Sequence, residues 1–319
     1  TITHVKIPSS ITLIGPYAFK DCLNLQEIEI PTSVVRIKYC AFEGCSSLKK
    51  VTIPSSVNTV GFDMFKGCSS LEKIEIPSSL NYLDHGTFCE CTSLKEVIFP
   101  SSMESIGAGT FEGCTSLKQI KVPSSVKYIF YHTFSRCTSL TDVSLPSSLV
   151  GIDSAFVGCT SLTNIIIPTN VEEIESSAFY ECTSLKSISL PSSLKNIKKF
   201  AFCNCTSLKQ IEIPSSVKEI ETGAFKCCYS LTEVSISSSM TKIESDLFKE
   251  CTSLSKILIP SSITSIGSSS FEKCSSLVKI LMPSSVCLIE SCAFKDCASL
   301  KNVTIPSSVT EIGDYAFFG

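Results

Sequence analysis

Apolar and polar residues recur along the chain with a period of about 23 residues, and proline marks the phase of the repeat. The interval from Pro146 to Pro168 is shorter by a single position, and Ser237 stands where one proline is due. The in-phase prolines are Pro8, Pro31, Pro54, Pro77, Pro100, Pro123, Pro146, Pro168, Pro191, Pro214, Pro260, Pro283 and Pro306. Fourteen copies in register predict one repeat array rather than several domains.

Each repeat contains two segments with the pattern of a short β-strand. The first has the form Leu-x-x-Ile/Val-x-Ile-Pro, as at Leu25, Ile28 and Ile30, and its alternation is typical of a strand with one buried face. The proline ends that strand because it has no N–H to donate. The second segment, Ser-Ser-Val-x-x-Ile, predicts another extended stretch, and Ala-Phe-x-x-Cys after it predicts one short α-helical or 3₁₀ turn. One repeat therefore makes one coil.

Phenylalanine and cysteine also recur in phase. All fourteen repeats contain the phenylalanine, from Phe19 to Phe317, and thirteen contain a cysteine three residues later, from Cys22 to Cys297. A single coil can bury such side chains only against its neighbours, so these positions predict ladders stacked at the spacing of β-strands. We expect every repeat phenylalanine to be buried, and most in-phase thiols to be reduced, inert and packed as small hydrophobic groups.

The strand segment resembles the leucine-rich repeat, whose consensus is L-x-x-L-x-L-x-x-N/C-x-L. The longer pattern Ile-Pro-Ser-Ser-Val-x-x-Ile-(Gly)-x-x-Ala-Phe-x-x-Cys-x-Ser-Leu is similar to the BspA-type branch of that family, and residues 260–277 and 306–317 show it well. The chain departs from the general consensus where serine, as at Ser33 and Ser56, takes the Asn/Cys position. The resemblance covers the whole chain.

That resemblance implies a β-rich leucine-rich-repeat solenoid, a curved right-handed coil of fourteen repeats, of the kind found in surface-exposed proteins of bacteria and some parasitic protists. It implies adhesion to host proteins and cells, no enzyme activity and no cofactor, with function on the variable exposed positions. We therefore expect a secreted or cell-surface module that attaches to a host or matrix protein. The alternative is an intracellular, cytoplasmic leucine-rich-repeat scaffold or inhibitor, which the many unpaired thiols favour.

Charge and composition exclude other partners. The 319 residues carry a net charge of -3, with 27 basic and 30 acidic side chains interleaved. A nucleic-acid groove would need a basic stripe, so we expect no nucleic-acid partner. The chain has no apolar run of about 18 residues, so we expect no membrane insertion by this segment.

Because Thr1 and Gly319 fall inside the repeat pattern, we expect a single solenoid domain over residues 1–319 that is a fragment of a longer protein.

Four cysteines in adjacent coils, Cys203, Cys205, Cys227 and Cys228, raise two hypotheses, a zinc site and a Cys203–Cys227 disulfide. The spacing argues against zinc, because Cys203-x-Cys205 and the vicinal pair lack the C-x₂₋₄-C separation that lets two sulfurs converge on one metal. We expect no metal site here.

Histidine and serine offer no catalytic arrangement in the sequence. The three histidines, His4, His85 and His132, occupy different phases of the repeat, so no Ser-His-Asp triad can be assembled locally. The Ser-Ser pairs after each proline are typical of turns in which the hydroxyl bonds a nearby backbone group. Two glycosylation sequons, at Asn204 and Asn302, give only weak information about the compartment.

The candidate binding surface consists of the outward strand positions two and four residues before each repeat proline. Most of these positions are polar, including Glu27, Glu29 and Lys50 in the first half. Later repeats carry apolar residues there, and apolar side chains on a polar sheet face can mark a contact site. The candidate protein-binding residues are Lys256, Leu258, Lys279, Leu281 and Ile166. Leu258 and Leu281 hold the same position of successive repeats and are expected to be direct neighbours, although a sheet can also simply tolerate such residues on its open face.

Overall fold

The computed structural model describes residues 2–319, which fall into two compact units, Thr1–Leu162 and Thr163–Gly319. Each unit is a solenoid of parallel β-strands joined by turns, and the described residues contain no helix. Every coil contributes one strand before the repeat proline, the long strand, and one strand of two residues after it, the short strand. Long strands have three residues, except for one that has two. The single domain expected from the repeat stays a prediction.

The first unit contains both kinds of strand in each coil. Its long strands are β1 (His4–Lys6), β3 (Glu27–Glu29), β5 (Lys50–Thr52), β7 (Lys73–Glu75), β9 (Glu96–Ile98), β11 (Gln119–Lys121) and β13 (Asp142–Ser144). Its short strands are β2 (Leu13–Ile14), β4 (Arg36–Ile37), β6 (Thr59–Val60), β8 (Tyr82–Leu83), β10 (Ser105–Ile106), β12 (Tyr128–Ile129) and β14 (Gly151–Ile152). The long strands pair in the order β1-β3-β5, β7-β9 and β11-β13.

The second unit repeats this organisation. Its long strands are β15 (Asn164–Ile166), β17 (Ser187–Ser189), β19 (Gln210–Ile211), β21 (Glu233–Ser235), β23 (Lys256–Leu258), β25 (Lys279–Leu281) and β27 (Asn302–Thr304). Its short strands are β16 (Glu173–Ile174), β18 (Asn196–Ile197), β20 (Glu219–Ile220), β22 (Lys242–Ile243), β24 (Ser265–Ile266), β26 (Leu288–Ile289) and β28 (Glu311–Ile312). The long strands pair in the order β15-β17, β19-β21-β23 and β25-β27.

The register of the strands follows the repeat. Ile28 on β3 lies opposite Val51 on β5, and Ile280 on β25 lies opposite Val303 on β27, with both pairs parallel. In most long strands the central residue is buried and its two neighbours are exposed, as in β3 and β25. The period-two alternation of the sequence is thereby confirmed, and it fixes which side chains face solvent.

The segment after the repeat proline forms a turn, and the serine at its second position also bonds the preceding coil. The N–H of Val34 donates to the carbonyl oxygen of Pro31 at 3.0 Å, which closes the turn. The hydroxyl of Ser33 donates to the carbonyl oxygen of Ile11 at 2.7 Å. That acceptor belongs to the coil before, so the hydroxyl links two coils instead of only supporting its own turn.

The segment around the repeat phenylalanine is not the short helical turn that the sequence predicts. Residues with positive φ lie two positions before and two positions after the phenylalanine, as at Tyr17 (φ 56°) and Asp21 (φ 57°) around Phe19; in the shortened coil only the residue after Phe156, Gly158, has a positive φ. Such left-handed residues interrupt a right-handed helix. They also turn some backbone groups toward the next coil, so that the N–H of Phe19 donates to the carbonyl oxygen of Ala41 at 2.8 Å.

Stacked phenylalanine rings form the centre of each unit. Twelve of the fourteen rings are fully buried, from Phe42 to Phe294, and within each unit neighbouring rings stack at 5.2 to 5.7 Å between centroids. Phe19 and Phe317 are half-buried, because each stacks on a repeat phenylalanine on one side only. The prediction that every repeat phenylalanine is buried is therefore wrong at these two positions. A fully buried ring contributes roughly 1.5–3 kcal/mol to folding.

The shortened coil that follows Pro146 keeps its register. Tyr128 lies opposite Gly151 and Ile129 opposite Ile152, which is the same offset between paired residues as elsewhere in the array. The ring of Phe156 still stacks on Phe134 at 5.5 Å. The missing residue is therefore absorbed between Ile152 and Phe156, outside the strands, as the sequence predicts.

Candidate protein-binding site

Strand alternation places four of the five candidate residues side by side in the second unit. On β23, Ile257 is buried while Lys256 and Leu258 face solvent; on β25, Lys279 and Leu281 face solvent in the same positions. Leu258 is 51% exposed and Leu281 is 63% exposed. The two strands belong to successive coils, so the leucines occupy equivalent places one coil apart, although the hydrogen-bonded ladder is interrupted between β23 and β25.

Ile166 lies apart from this group. It is the last residue of β15, where it is 74% exposed, and its neighbour in the next coil is Ser189. Four coils separate β15 from β23, which corresponds to about 19 Å at the usual spacing of strands. The structure therefore brings Lys256, Leu258, Lys279 and Leu281 together and leaves Ile166 outside their cluster.

The two lysines of the cluster differ in their surroundings. Lys256 forms an ion pair with Glu233 on the preceding strand, with 2.6 Å between Nζ and Oε1. Lys279 lies opposite the neutral Asn302 and takes part in none of the ion pairs formed by residues 2–319. Its positive charge is therefore available to a partner.

Two residues that sequence reasoning missed extend the cluster. Val278 is 56% exposed and Lys301 is exposed, and both stand five residues before a repeat proline, next to a buried or half-buried leucine. Every other repeat carries a polar residue at that position, so the single valine was a signal that the sequence contained. Strand alternation predicts as outward only the positions two and four residues before the proline, so Val278 falls outside that prediction.

The corresponding face of the first unit is dominated by charge pairs. Lys73 binds Glu96 at 2.9 Å, and Lys95 binds Glu72 at 3.0 Å, with all four side chains at least half exposed. A groove of about 630 Å³ lies where β5 and β7 are not hydrogen-bonded, and it is lined partly by Lys49, Lys50, Lys73, Pro54 and Pro77. Exposed apolar side chains of the size of Leu281 are rare on these long strands, with Ile98 at 37% exposed as an exception.

The in-phase cysteines are free and mostly buried, as expected, with Cys22 half-buried. Their role is broader than that of a small hydrophobic group, because each thiol with a described partner donates a hydrogen bond to the phenylalanine carbonyl of the preceding coil. The distance is 3.1 Å from Cys45 to Phe19 and 3.2 Å from Cys228 to Phe202. Sequence reasoning missed these bonds because the acceptor is a backbone atom in another coil.

Burial makes these thiols poor nucleophiles. Desolvation raises the pKa of Cys45 and of Cys297 to about 12, and it raises the pKa of Cys68 and Cys251 well above the ordinary value. The thiolate is the reactive form of cysteine, so a raised pKa suppresses reaction at neutral pH. The in-phase cysteines therefore serve packing and hydrogen bonding.

The four neighbouring cysteines Cys203, Cys205, Cys227 and Cys228 form no metal centre in the part of the chain that the structure describes. Cys203, Cys205, Cys227 and Cys228 are all free and buried, and no group of three or more His, Cys, Asp or Glu side chains among residues 2–319 could hold a metal ion. Burial raises the pKa of Cys203 to about 11. Neither the zinc hypothesis nor the Cys203–Cys227 disulfide has support in this geometry.

One histidine lies within hydrogen-bond distance of a serine hydroxyl. The Nδ1 of His132 lies 2.9 Å from Oγ of Ser135, but Ser135 is only 1% exposed, so a substrate cannot reach that oxygen. His85 instead accepts a hydrogen bond from the N–H of Ala108 at 3.0 Å.

The two glycosylation sequons differ in access: Asn302 is exposed on β27 and Asn204 is half-buried. Within residues 2–319, no helix is long and apolar enough to cross a bilayer.

The comparison with protein families decides what these coils are. The family model described as a BspA type leucine rich repeat region (6 copies) matches residues 1–114, 59–155, 84–209, 152–278 and 195–319. The chain belongs to the BspA-type leucine-rich repeat family. In general, leucine-rich repeat proteins are non-enzymatic scaffolds for protein interaction, and this BspA-type protein has the parallel-strand solenoid expected of them.

Solved structures of bacterial leucine-rich repeat proteins resemble this BspA-type protein. One from Bacteroides ovatus is 34% identical, with a TM-score of 0.74, over 91% of this chain and 78% of that chain. A leucine-rich cell surface protein from Faecalibacterium prausnitzii is 29% identical, with a TM-score of 0.58, over 90% of this chain and 78% of that chain. The pneumococcal vaccine antigen PcpA, at 20% identity and a TM-score of 0.55 over 96% of this chain and 82% of that chain, shares the fold. No curated protein sequence matches the chain.

Proposed function

We propose that this BspA-type solenoid is a non-enzymatic module that acts in cell adhesion, in which it attaches the cell to a host or matrix protein. The observation that carries the proposal is the exposed pair Leu258 and Leu281, in equivalent places of successive coils on a sheet face that is otherwise mostly polar. Lys256 and Lys279 border this pair, and Ile166 supplies a separate apolar contact point. An exposed apolar patch rimmed by polar groups is typical of a protein-binding surface.

A location at the cell surface is part of the same proposal. The BspA-type family and the similarity to a cell surface protein of Faecalibacterium prausnitzii support it. The burial of the in-phase thiols is compatible with an oxidising environment, because a buried thiol of raised pKa is protected from oxidation.

A test compares the double variant Leu258→Asp/Leu281→Asp with the unchanged chain for binding to a panel of immobilised extracellular matrix proteins. The variant should keep its circular dichroism spectrum and lose at least about tenfold in affinity, because two buried contacts would be replaced by solvated carboxylates. Ile98→Asp is the matched control, since Ile98 holds the same strand position in the first unit. Equal binding by the double variant and the control, or no binding to any member of the panel, would refute the proposal.

One observation favours a second function, an intracellular scaffold or inhibitor. All 19 cysteines are free, and free thiols are most common in reducing compartments. Fractionation of cells that produce the full-length protein separates the two functions. Recovery from the cytoplasm supports the scaffold, whereas protease-sensitive material on intact cells supports the surface module.

A further inference from the structure

Three successive long strands of the second unit present lysines and apolar side chains on one exposed surface without any carboxylate. We call this surface the basic apolar patch; it consists of Lys256, Leu258, Val278, Lys279, Leu281 and Lys301. Its three apolar side chains are each more than half exposed, at 51%, 56% and 63%. Residues 255–260, 278–283 and 301–306, which form these strand segments, contain no Asp or Glu.

The patch carries charge that the chain itself does not neutralise. Lys256 is paired with Glu233 at 2.6 Å, whereas Lys279 and Lys301 join none of the ion pairs among residues 2–319. The protein as a whole has a net charge of -3, so this surface differs in sign from the average of the molecule. Unpaired cations beside exposed apolar groups are complementary to a ligand that offers both carboxylates and apolar side chains.

The spacing of the patch residues also determines which ligand conformation fits them. Leu258 and Leu281 are one coil apart, and so are Val278 and Lys301, with about 4.8 Å between coils. An extended peptide that crosses the coils advances about 3.3 Å per residue, so it meets apolar groups and cations in turn over a few residues. We propose that the basic apolar patch binds an extended segment of a partner protein in which acidic and apolar side chains are interspersed.

This inference rests on the proposed function and names the chemistry of its partner. An anionic bilayer fits the surface less well, because Glu233 lies on the adjoining strand and would face the same lipid headgroups. A segment of a few residues covers Lys279 and Lys301 without meeting that carboxylate.

The test uses three fluorescein-labelled nonapeptides, each added to the full chain while fluorescence anisotropy is measured. The first repeats Glu-Leu-Ser, the second Lys-Leu-Ser and the third Glu-Ser-Ser. Only the first should bind appreciably, with at least about tenfold higher affinity than the others and with weaker binding as salt rises, because exposed charges are screened. Equal binding of the three peptides would overturn the inference.

Charge reversal locates the interaction. Lys279→Glu/Lys301→Glu should lower the affinity for the Glu-Leu-Ser peptide about tenfold. The control is Lys118→Glu/Lys121→Glu in the first unit. Lys118 holds the repeat position of Lys301 and Lys121 that of Leu281, both are exposed, and both also lack an ion pair within residues 2–319. Loss of binding in the control as large as in the patch variant would contradict the assignment.

Two other occupants are distinguished by parallel measurements. If phosphatidylserine vesicles bind through Lys279 and Lys301 and the peptide does not, the partner is a lipid surface and the inference is wrong. If the chain instead self-associates in sedimentation velocity and the patch variant does not, the occupant is a second copy and the inference is again wrong. Binding of a matrix protein that depends on Leu258 and Leu281 but survives charge reversal would leave the proposed function standing and remove this inference alone.

Discussion

The thiol of Cys137 donates a hydrogen bond of 3.1 Å to the carbonyl oxygen of Phe111, one coil earlier in the chain. The same oxygen accepts the backbone N–H of Cys114, also at 3.1 Å. A carbonyl oxygen has two lone pairs, so both are used. The recurring cysteine therefore satisfies a buried backbone group at the same time as it fills space between phenylalanine and leucine.

The first prediction concerns the loss of one such thiol. Cys137→Ala removes the donor and leaves a small cavity in a fully buried site, which should lower the free energy of unfolding by about 1–2 kcal/mol. Urea unfolding followed by circular dichroism measures the change. Cys287→Ala is the control, because Cys287 is exposed and should tolerate the change without cost. Equal unfolding midpoints for the two variants would show that the buried thiol contributes nothing.

The second prediction concerns the reactivity of the thiols in the folded protein. Of the 19 cysteines, Cys287 is exposed and Cys22 and Cys292 are half-buried, so a thiol reagent at neutral pH should react with these three at most before denaturant is added and with all 19 afterwards. Cys287→Ala should remove the fastest phase of the reaction. Rapid reaction of most thiols in the native protein would contradict the burial described here.

The third prediction is a loss of stability at alkaline pH. The folded pKa of Cys45 is raised to about 12 by burial, whereas an unfolded thiol ionises at about pH 8.5. Between these values the unfolded chain loses protons that the folded chain keeps, so the free energy of unfolding should fall by about 1.4 kcal/mol per pH unit for each such thiol. Below about pH 8 the effect should be absent. Urea unfolding at neutral pH and at two alkaline pH values measures how the free energy of unfolding falls with pH. This fall should be less steep in Cys45→Ser/Cys137→Ser. An equally steep fall in that variant would contradict the assignment to the buried thiols.

The fourth prediction concerns a glycine that lies against the backbone of the preceding coil. A Cβ at Gly107 would lie 2.8 Å from the carbonyl carbon of Asp84 and 2.8 Å from the nitrogen of His85, so Gly107→Ala should cost about 1–3 kcal/mol. Gly15 holds the same position of the repeat, and a Cβ there would meet nothing within 4 Å. Gly15→Ala should therefore be neutral within about 0.5 kcal/mol in thermal unfolding. A similar loss in both variants would show that backbone freedom and not contact decides the effect.

The fifth prediction compares a buried and an exposed ion pair. Lys249 binds Glu272 at 2.8 Å, and the Glu272 side chain is only 9% exposed, whereas Lys95 and Glu72 are both 61% exposed. Burial is the largest single influence and would raise the pKa of Glu272. The hydrogen bonds from Lys249 and Ser269, together with the charges of Lys249 and Lys295, outweigh it, so the pKa is lowered. Lys249→Met should cost about 1–3 kcal/mol of unfolding free energy and Lys95→Met less than about 1 kcal/mol. Chemical denaturation of the two variants measures these losses, and equal losses of unfolding free energy would contradict the role of burial.

Sequence patterns predicted the parts of this fold that depend on periodic burial. The alternation at Ile257 and Leu258 fixes the inward and outward faces of β23, and the repeat period fixes the neighbours of each residue. The contacts that were missed depend on backbone atoms in another coil: the acceptor of the Ser33 hydroxyl and the acceptors of the thiols. The helical turn was predicted because Ala-Phe-x-x-Cys has helical spacing, but the left-handed residues on both sides of Phe19 are not visible in residue types such as Tyr17 and Asp21.

The candidate site could be found only in part for the same reason. The phase of Leu258 and Leu281 follows from the repeat, and so does their exposure, which the structure confirms. The free charge of Lys279 and Lys301 depends on which carboxylates lie within reach across neighbouring coils, and this follows from packing rather than from pattern.

The stacked phenylalanines have a consequence for how the chain can change over generations. Phe65 meets Phe42 on one side at 5.2 Å and Phe88 on the other at 5.7 Å, and both neighbours present the same chemistry. If one whole repeat inside a unit were removed or duplicated, the new neighbouring coils would therefore again stack phenylalanine on phenylalanine. Unequal exchange between copies of the gene segment can thus lengthen or shorten the array in one step, whereas a new binding surface has to be assembled codon by codon on the outward positions.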